Sequence, residues 1–129
     1  MTGIYNRHGF DKHVTVYMKQ YPEKHCVGVQ FDIDDFKLIN DIYGHASGDK
    51  ALQILAESMR KFFPKHAVLG RNGGDEFCIF LPNCTYDDAE EQLEQQNKSV
   101  SLFMKVRNAH LTFRLDMQNI RFMQNRSCN

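Results

Sequence analysis

Apolar residues return at helical spacing in several stretches of the chain and run almost unbroken in several shorter ones. From Arg7 to about Tyr21, the recurrence of Phe10, Val14, Tyr17 and Met18 predicts an amphipathic helix that ends near Pro22 and covers one face of a sheet. From Asp49 to Phe63, Leu52, Leu55, Ala56, Met59, Phe62 and Phe63 form one stripe, with Gln53, Glu57, Arg60 and Lys61 outside it. This is the clearest helix in the sequence, and Pro64 ends it. A shorter helix is predicted from Asp35 to Tyr43 by Phe36, Ile39, Ile42 and Tyr43, and another from Tyr86 to about Met104, acidic at its start as the helix dipole favours. The run Cys26-Val27-Gly28-Val29-Gln30-Phe31-Asp32-Ile33 is apolar almost throughout, as a central strand is. Ala67 to Arg71 and Phe77 to Leu81 read as two further strands flanking a tight turn.

That turn, Arg71-Asn72-Gly73-Gly74-Asp75-Glu76-Phe77, carries the first candidate chemistry. Glycine tolerates positive φ and lets a backbone or a phosphate come close, while adjacent carboxylates repel unless a cation or a shared proton neutralises them. Together they point to Mg²⁺ and a phosphate ester, although Gly-Gly-Asp is also a common solvated turn. Asp32 ends the strand before it, where a buried-strand carboxylate, with the carbonyl of Ile33, could complete a site of hard oxygen ligands. Asp34 or Asp35 reads as the cap of the following helix, a role that does not explain Asp32. The positive end of that helix and Lys37 in its first turn could hold phosphate oxygens; a solvated lysine is the plainer alternative.

Composition narrows the partners. The chain has 129 residues, 42% hydrophobic and 25% charged, with formal net charge zero. That suits one globular domain and lacks the basic footprint of a general nucleic-acid binder, so no duplex binding is expected. Cys26, Cys78, Cys84 and Cys128 have no zinc-type spacing and fit a reducing compartment, with Cys26 and Cys78 expected as small core residues. No apolar run reaches the roughly 18 residues needed to span a bilayer. A cytoplasmic domain without membrane contact of its own is expected.

A second stretch changes the weight of the first. Asp32-Ile33-Asp34-Asp35-Phe36-Lys37-Leu38-Ile39-Asn40-Asp41 matches a D-x-D-x-F-K-x-I-N-D run, and Gly44-His45-Ala46-Ser47-Gly48-Asp49 matches G-H-x-x-G-D. With the Gly73-Gly74-Asp75-Glu76-Phe77 turn, these motifs resemble, in order and spacing, the GGDEF family of diguanylate cyclases, which join two GTP molecules into cyclic di-GMP. The resemblance implies an α/β fold: a central, mostly antiparallel sheet of nucleotidyl-cyclase, polymerase-palm or ferredoxin-like type with flanking helices. It implies Asp32, the carbonyl of Ile33, Asp75 and Glu76 at two Mg²⁺ ions, with Mn²⁺ as a substitute. It implies Asp75, Glu76 and Lys37 in catalysis, and Asn40, His45, Asp49, Lys37, Phe36, Gly73 and Gly74 against the substrate, Asn40 and Asp49 reading guanine. For His45, a solvated residue after a helix-ending Gly44 stands as the equal alternative. The partners implied are GTP and a second copy of the domain in a two-fold dimer. Many members carry R-x-x-D as an inhibitory product site where this chain has Pro64-Lys65-His66-Ala67, so that site is expected to be absent.

The ends depart from the pattern. Thr2-Gly3-Ile4-Tyr5-Asn6-Arg7 resembles the family's opening with its first residues cut away, so an upstream sensory or membrane module is expected in a longer parent protein. His110-Leu111-Thr112-Phe113 looks like the next family strand, but from Arg114 onward nothing matches. The expected division is an incomplete GGDEF domain over 1–113 and a tail over 114–129 whose abrupt change resembles a frameshift or premature end. The last family elements, including a basic helix that contacts the triphosphate, would then be missing. Dimerisation or strand exchange through 110–123 is a further expectation. A GTP-binding or protein-interaction module without turnover is the alternative to an active cyclase, and a purely structural domain ranks last.

Overall fold

The computed structural model describes residues 4–32, 36–73, 76–106 and 121–124. Its elements are β1 (Tyr5–Asn6), α1 (Arg7–Gln20), β2 (Cys26–Asp32), α2 (Phe36–Tyr43), α3 (His45–Phe62), β3 (Val68–Arg71), β4 (Glu76–Pro82), α4 (Tyr86–Val106) and β5 (Arg121–Gln124). The strands form one sheet in the order β1-β3-β4-β2-β5, parallel only between β1 and β3 and antiparallel elsewhere. This is the mixed α/β, mostly antiparallel, palm-like arrangement expected from the motifs.

Alternation along β2 and β4 divides the side chains between two layers of helix. Val27, Val29 and Phe31 of β2 and Phe77, Ile79 and Leu81 of β4 pack with Leu52, Leu55 and Met59 of α3 and Leu93, Val100 and Met104 of α4. On the opposite face, Cys26, Cys78 and Phe80 meet Phe10, Val14, Tyr17 and Met18 of α1. Each large apolar side chain so buried contributes roughly 1.5–3 kcal/mol relative to exposure. The helix α1 comes close because β3 has a glycine beneath it: a Cβ on Gly70 would lie 2.9 Å from Phe10 Cβ and 2.8 Å from Cys78 Sγ.

Local chemistry sets the helix ends. Asn6 Oδ1 accepts from Gly9 N at 2.8 Å and caps α1. Phe63 has the extended backbone (φ −82°, ψ 151°) that the following Pro64 imposes, which stops α3. Thr85 Oγ1 accepts from Asp88 N at 3.3 Å at the start of α4.

Several elements differ from the pattern-based expectation. The helix α3 begins at His45, four residues before Asp49, because Gly44 alone makes the break: its N–H donates to Asn40 O at 2.9 Å and its φ is +89°. The G-H-x-x-G-D stretch is therefore the N-cap and first turn of α3. Of the α2 stripe only Ile39 is buried; Ile42 is 61% and Tyr43 51% exposed. The short β1 carried no periodic signal and pairs through Tyr5↔Gly70 and Asn6↔Arg71. The expected strand at 110–113 lies outside the described residues. Residues 121–124, within the stretch read as tail, pair with β2 as its edge neighbour.

Candidate active site at the sheet end

The acidic turn and the end of the central strand meet. Asp32, the last residue of β2, stands opposite Glu76, the first of β4, one step beyond Phe31↔Phe77. The rings of that aromatic pair stack at 5.8 Å between centroids and buttress the strand ends from the core side. Opposed like charges weaken a strand pair unless something neutralises them, so a carboxylate at both positions is an arrangement suited to a cation.

The hairpin is held by its own backbone. Asn72 N donates to Glu76 O at 2.9 Å and Glu76 N to Gly73 O at 3.3 Å. Gly73 has φ +82°, a conformation side chains disfavour, and a Cβ there would meet nothing within 4 Å. Backbone conformation, not space, thus requires glycine at 73. Gly74, Asp75 and Ile33 lie outside the described residues, as do Asp34 and Asp35.

The proposed base-reading residues lie at the corner between α2 and α3. Asn40 and Phe36 of α2 pack over Gly48 in the first turn of α3: a Cβ on Gly48 would fall 1.9 Å from Asn40 Oδ1 and 3.4 Å from Phe36 Cε2. The same Oδ1 is buried and has no hydrogen-bond partner among the described residues. A buried amide oxygen left without a donor is uncommon, and a ligand donor would satisfy it. Asp49, next to Gly48, His45 in the same turn, and Lys37 in the first turn of α2 are all exposed. Phe36, Asn40 and the Asp49 turn are therefore brought together by α2–α3 packing, and Asp32 and Glu76 by strand register.

Sequence reasoning passed over Gln30 and Asn72, whose amides both donate to Glu76 Oε1, Asn72 at 2.7 Å. The available signal was Gln30 itself, a polar residue inside an apolar strand. Nearby, Arg7 Nε pairs with Asp11 Oδ2 at 3.0 Å, and that hydrogen bond is the main reason its pKa is raised. Burial pushes the Cys78 thiol up to about 11, with Asp11 and Glu76 adding to the shift and Arg7 opposing it.

Two carboxylate positions, one of them oriented by neutral donors, suit a hard divalent cation such as Mg²⁺ in charge and donor type. Among the described residues no group of three or more His, Cys, Asp or Glu gathers into a metal cluster. Cavities among the described residues lie elsewhere. One of about 280 Å³ borders His66, Asn83, Cys84 and Asp88. Another, about 540 Å³, is walled by Phe63, Pro64, Ala67 and Leu69, with Arg60 and Lys65 as its cations.

The sheet is palm-like, Asp32 and Glu76 stand in register at one strand end, and the α2–α3 corner holds an amide oxygen with no partner among the described residues. The family model described as "Diguanylate cyclase, GGDEF domain" matches residues 1–125, so the chain belongs to the GGDEF-domain family. It is 36% identical over 104 residues to the protein YhcK of Bacillus subtilis, a match covering 78% of this chain and 29% of that protein. Among solved structures it is similar to the diguanylate cyclase SiaD of Pseudomonas aeruginosa, crystallised with its activator SiaC. The TM-score is 0.69 at 31% identity, over 78% of this chain and 39% of that one. The GGDEF domain of PA1120 (YfiN or TpbB) from the same organism superposes with a TM-score of 0.72 at 30% identity, over 78% and 65% of the two chains. The chain thus spans 29% of the length of the curated relative. Among the described residues no helix is long and apolar enough to cross a membrane.

Proposed function

We propose that this domain binds GTP with Mg²⁺ at the Asp32–Glu76 sheet end and, in a two-fold dimer, condenses two GTP molecules into cyclic di-GMP and two pyrophosphates. In that reaction each 3′-hydroxyl attacks the other nucleotide's α-phosphorus, the bond to the β,γ-pyrophosphate breaks, and the hydroxyl proton is taken up. Asp32 and Glu76, with Asp75 and the Ile33 carbonyl, would hold the cation; Mg²⁺ supplies neutralisation of the phosphate charge and a lower pKa for the attacking hydroxyl. Asp75 and Glu76 are the carboxylates for the proton. Lys37 meets phosphate oxygens at the start of α2. Asn40 accepts from a guanine donor, Asp49 from the base N1–H and amino group, and Phe36, His45, Gly73 and Gly74 flank the nucleotide. The observation that carries this function is the register pairing of Asp32 with Glu76; the buried Asn40 Oδ1, without a partner among the described residues, supports it.

The division into a GGDEF unit over 1–113 and a tail over 114–129, a cytoplasmic setting, and an upstream sensory or membrane-anchoring segment in the parent protein belong to the same proposal. A non-catalytic GTP-binding or interaction module is the second reading; it rests on the absence, from Arg114 onward, of the later motifs that the resemblance implies, although the family model extends to residue 125. Incubation with GTP and Mg²⁺, with cyclic di-GMP followed by chromatography and Asp75→Ala as control, separates the two. Product that vanishes in Asp75→Ala supports the cyclase. GTP binding without product supports the second reading.

A further inference from the structure

Glu76 is held by two neutral donors. Its Oε1 accepts from Gln30 Nε2 across the sheet and from Asn72 Nδ2 at 2.7 Å within the hairpin. Because Gln30 stands opposite Cys78 and Asp32 opposite Glu76, Gln30 is the diagonal neighbour of Glu76 on the same sheet face. A carboxylate oxygen offers two lone pairs, so these two donors fill Oε1. Both donors are amides. An amide fixes the orientation of a carboxylate and leaves its charge intact, whereas a lysine or arginine at either position would cancel that charge and compete with a cation.

We propose that Gln30 and Asn72 are positioning residues, an amide clamp that presents Glu76 Oε2 to the divalent cation of the nucleotide site. This rests on the Mg-GTP function above and adds two residues to it. The Gln30 arm is half-buried and the Asn72 arm exposed, so Gln30 carries the larger share.

The test is the Mg²⁺ concentration that gives half-maximal binding of a fluorescent mant-GTP, measured beside mant-GTP binding in EDTA and the thermal unfolding midpoint. Loss of groups that orient a metal ligand weakens the metal by about 10- to 100-fold, and that rise is expected for Gln30→Leu/Asn72→Ala, with Gln30→Leu alone above Asn72→Ala alone. Gln30→Lys, which still donates but brings a charge, is expected to raise the requirement as well. Binding in EDTA and the unfolding midpoint should stay at wild-type values. An unchanged Mg²⁺ requirement in the double variant, when Glu76→Gln raises it, would overturn the clamp alone. So would equal losses with Mg²⁺ and with EDTA, the mark of a merely structural role. Wild-type protein with no Mg²⁺-dependent mant-GTP binding would overturn the nucleotide site and the clamp with it.

Discussion

Replacing Gly48 with alanine should separate the stability of the α2–α3 corner from its capacity to read a base. The added Cβ would lie 1.9 Å from Asn40 Oδ1 and 3.0 Å from Asn40 Cγ, too close for either atom to stay. What yields is the end of a rotatable side chain, so Asn40 swings away at a cost of about 0.5–1.5 kcal/mol. Alanine in place of glycine returns up to about 1 kcal/mol of helix propensity. The two nearly cancel, and denaturant unfolding should place Gly48→Ala within about 1 kcal/mol of wild type. Binding has no such offset. Loss of one hydrogen bond between Asn40 and guanine is worth about 1–3 kcal/mol, a fall of roughly 5- to 150-fold in mant-GTP affinity. In an Asn40→Ala background the clash is gone, and Gly48→Ala should there stabilise by about 0.5–1 kcal/mol, giving a measurable coupling between the two sites. Wild-type GTP affinity in Gly48→Ala would refute the guanine role of Asn40, and equal effects of the substitution in both backgrounds would refute the clash.

Gly70→Ala is the opposite case, because its Cβ would meet Phe10 at 2.9 Å and Cys78 Sγ at 2.8 Å inside a packed layer; urea unfolding should show a loss of about 1–3 kcal/mol. Burial raises Cys78 from 9.0 to about 11, so the folded state keeps a proton that the unfolded chain releases. Its contribution is complete below pH 9 and is lost as pH rises towards about 11, to the extent of roughly 2–3 kcal/mol; Cys78→Ala should flatten that limb of the stability profile. Asp32→Asn removes a like charge facing Glu76 and should raise stability in EDTA by about 0.2–1 kcal/mol while abolishing the Mg²⁺ dependence of mant-GTP binding. With Pro64 and Ala67 in the apolar wall of the larger cavity, calorimetric titration with cyclic di-GMP should find no high-affinity complex there, and Lys65→Ala should leave the titration unchanged.

The helices α1, α3 and α4 and the strands β2, β3 and β4 were legible in the chain, because each buries a continuous stripe or run whose period depends only on local geometry. The motifs at Asp32, Lys37, Asn40, Asp49 and Gly73 to Glu76 were legible too, since turn glycines, strand-end acids and helix-start residues keep their chemistry whatever surrounds them. Register was not. That Asp32 faces Glu76 rather than a residue to either side follows from how β2 and β4 align over their shared core face, and a shift of one residue would turn every side chain over. The same long-range pairing places Gln30, whose polarity within an apolar strand did not say what it meets, against Glu76. Gly48 carried no signal of being pressed against Asn40, because the contact exists only once α2 folds back on α3. The start of α3 at His45 and the edge pairing of 121–124 were likewise settled away from their own residues, by the break at Gly44 and by the open side of β2. Local sequence determined which groups this protein carries; the packing of distant segments decided which of them face one another.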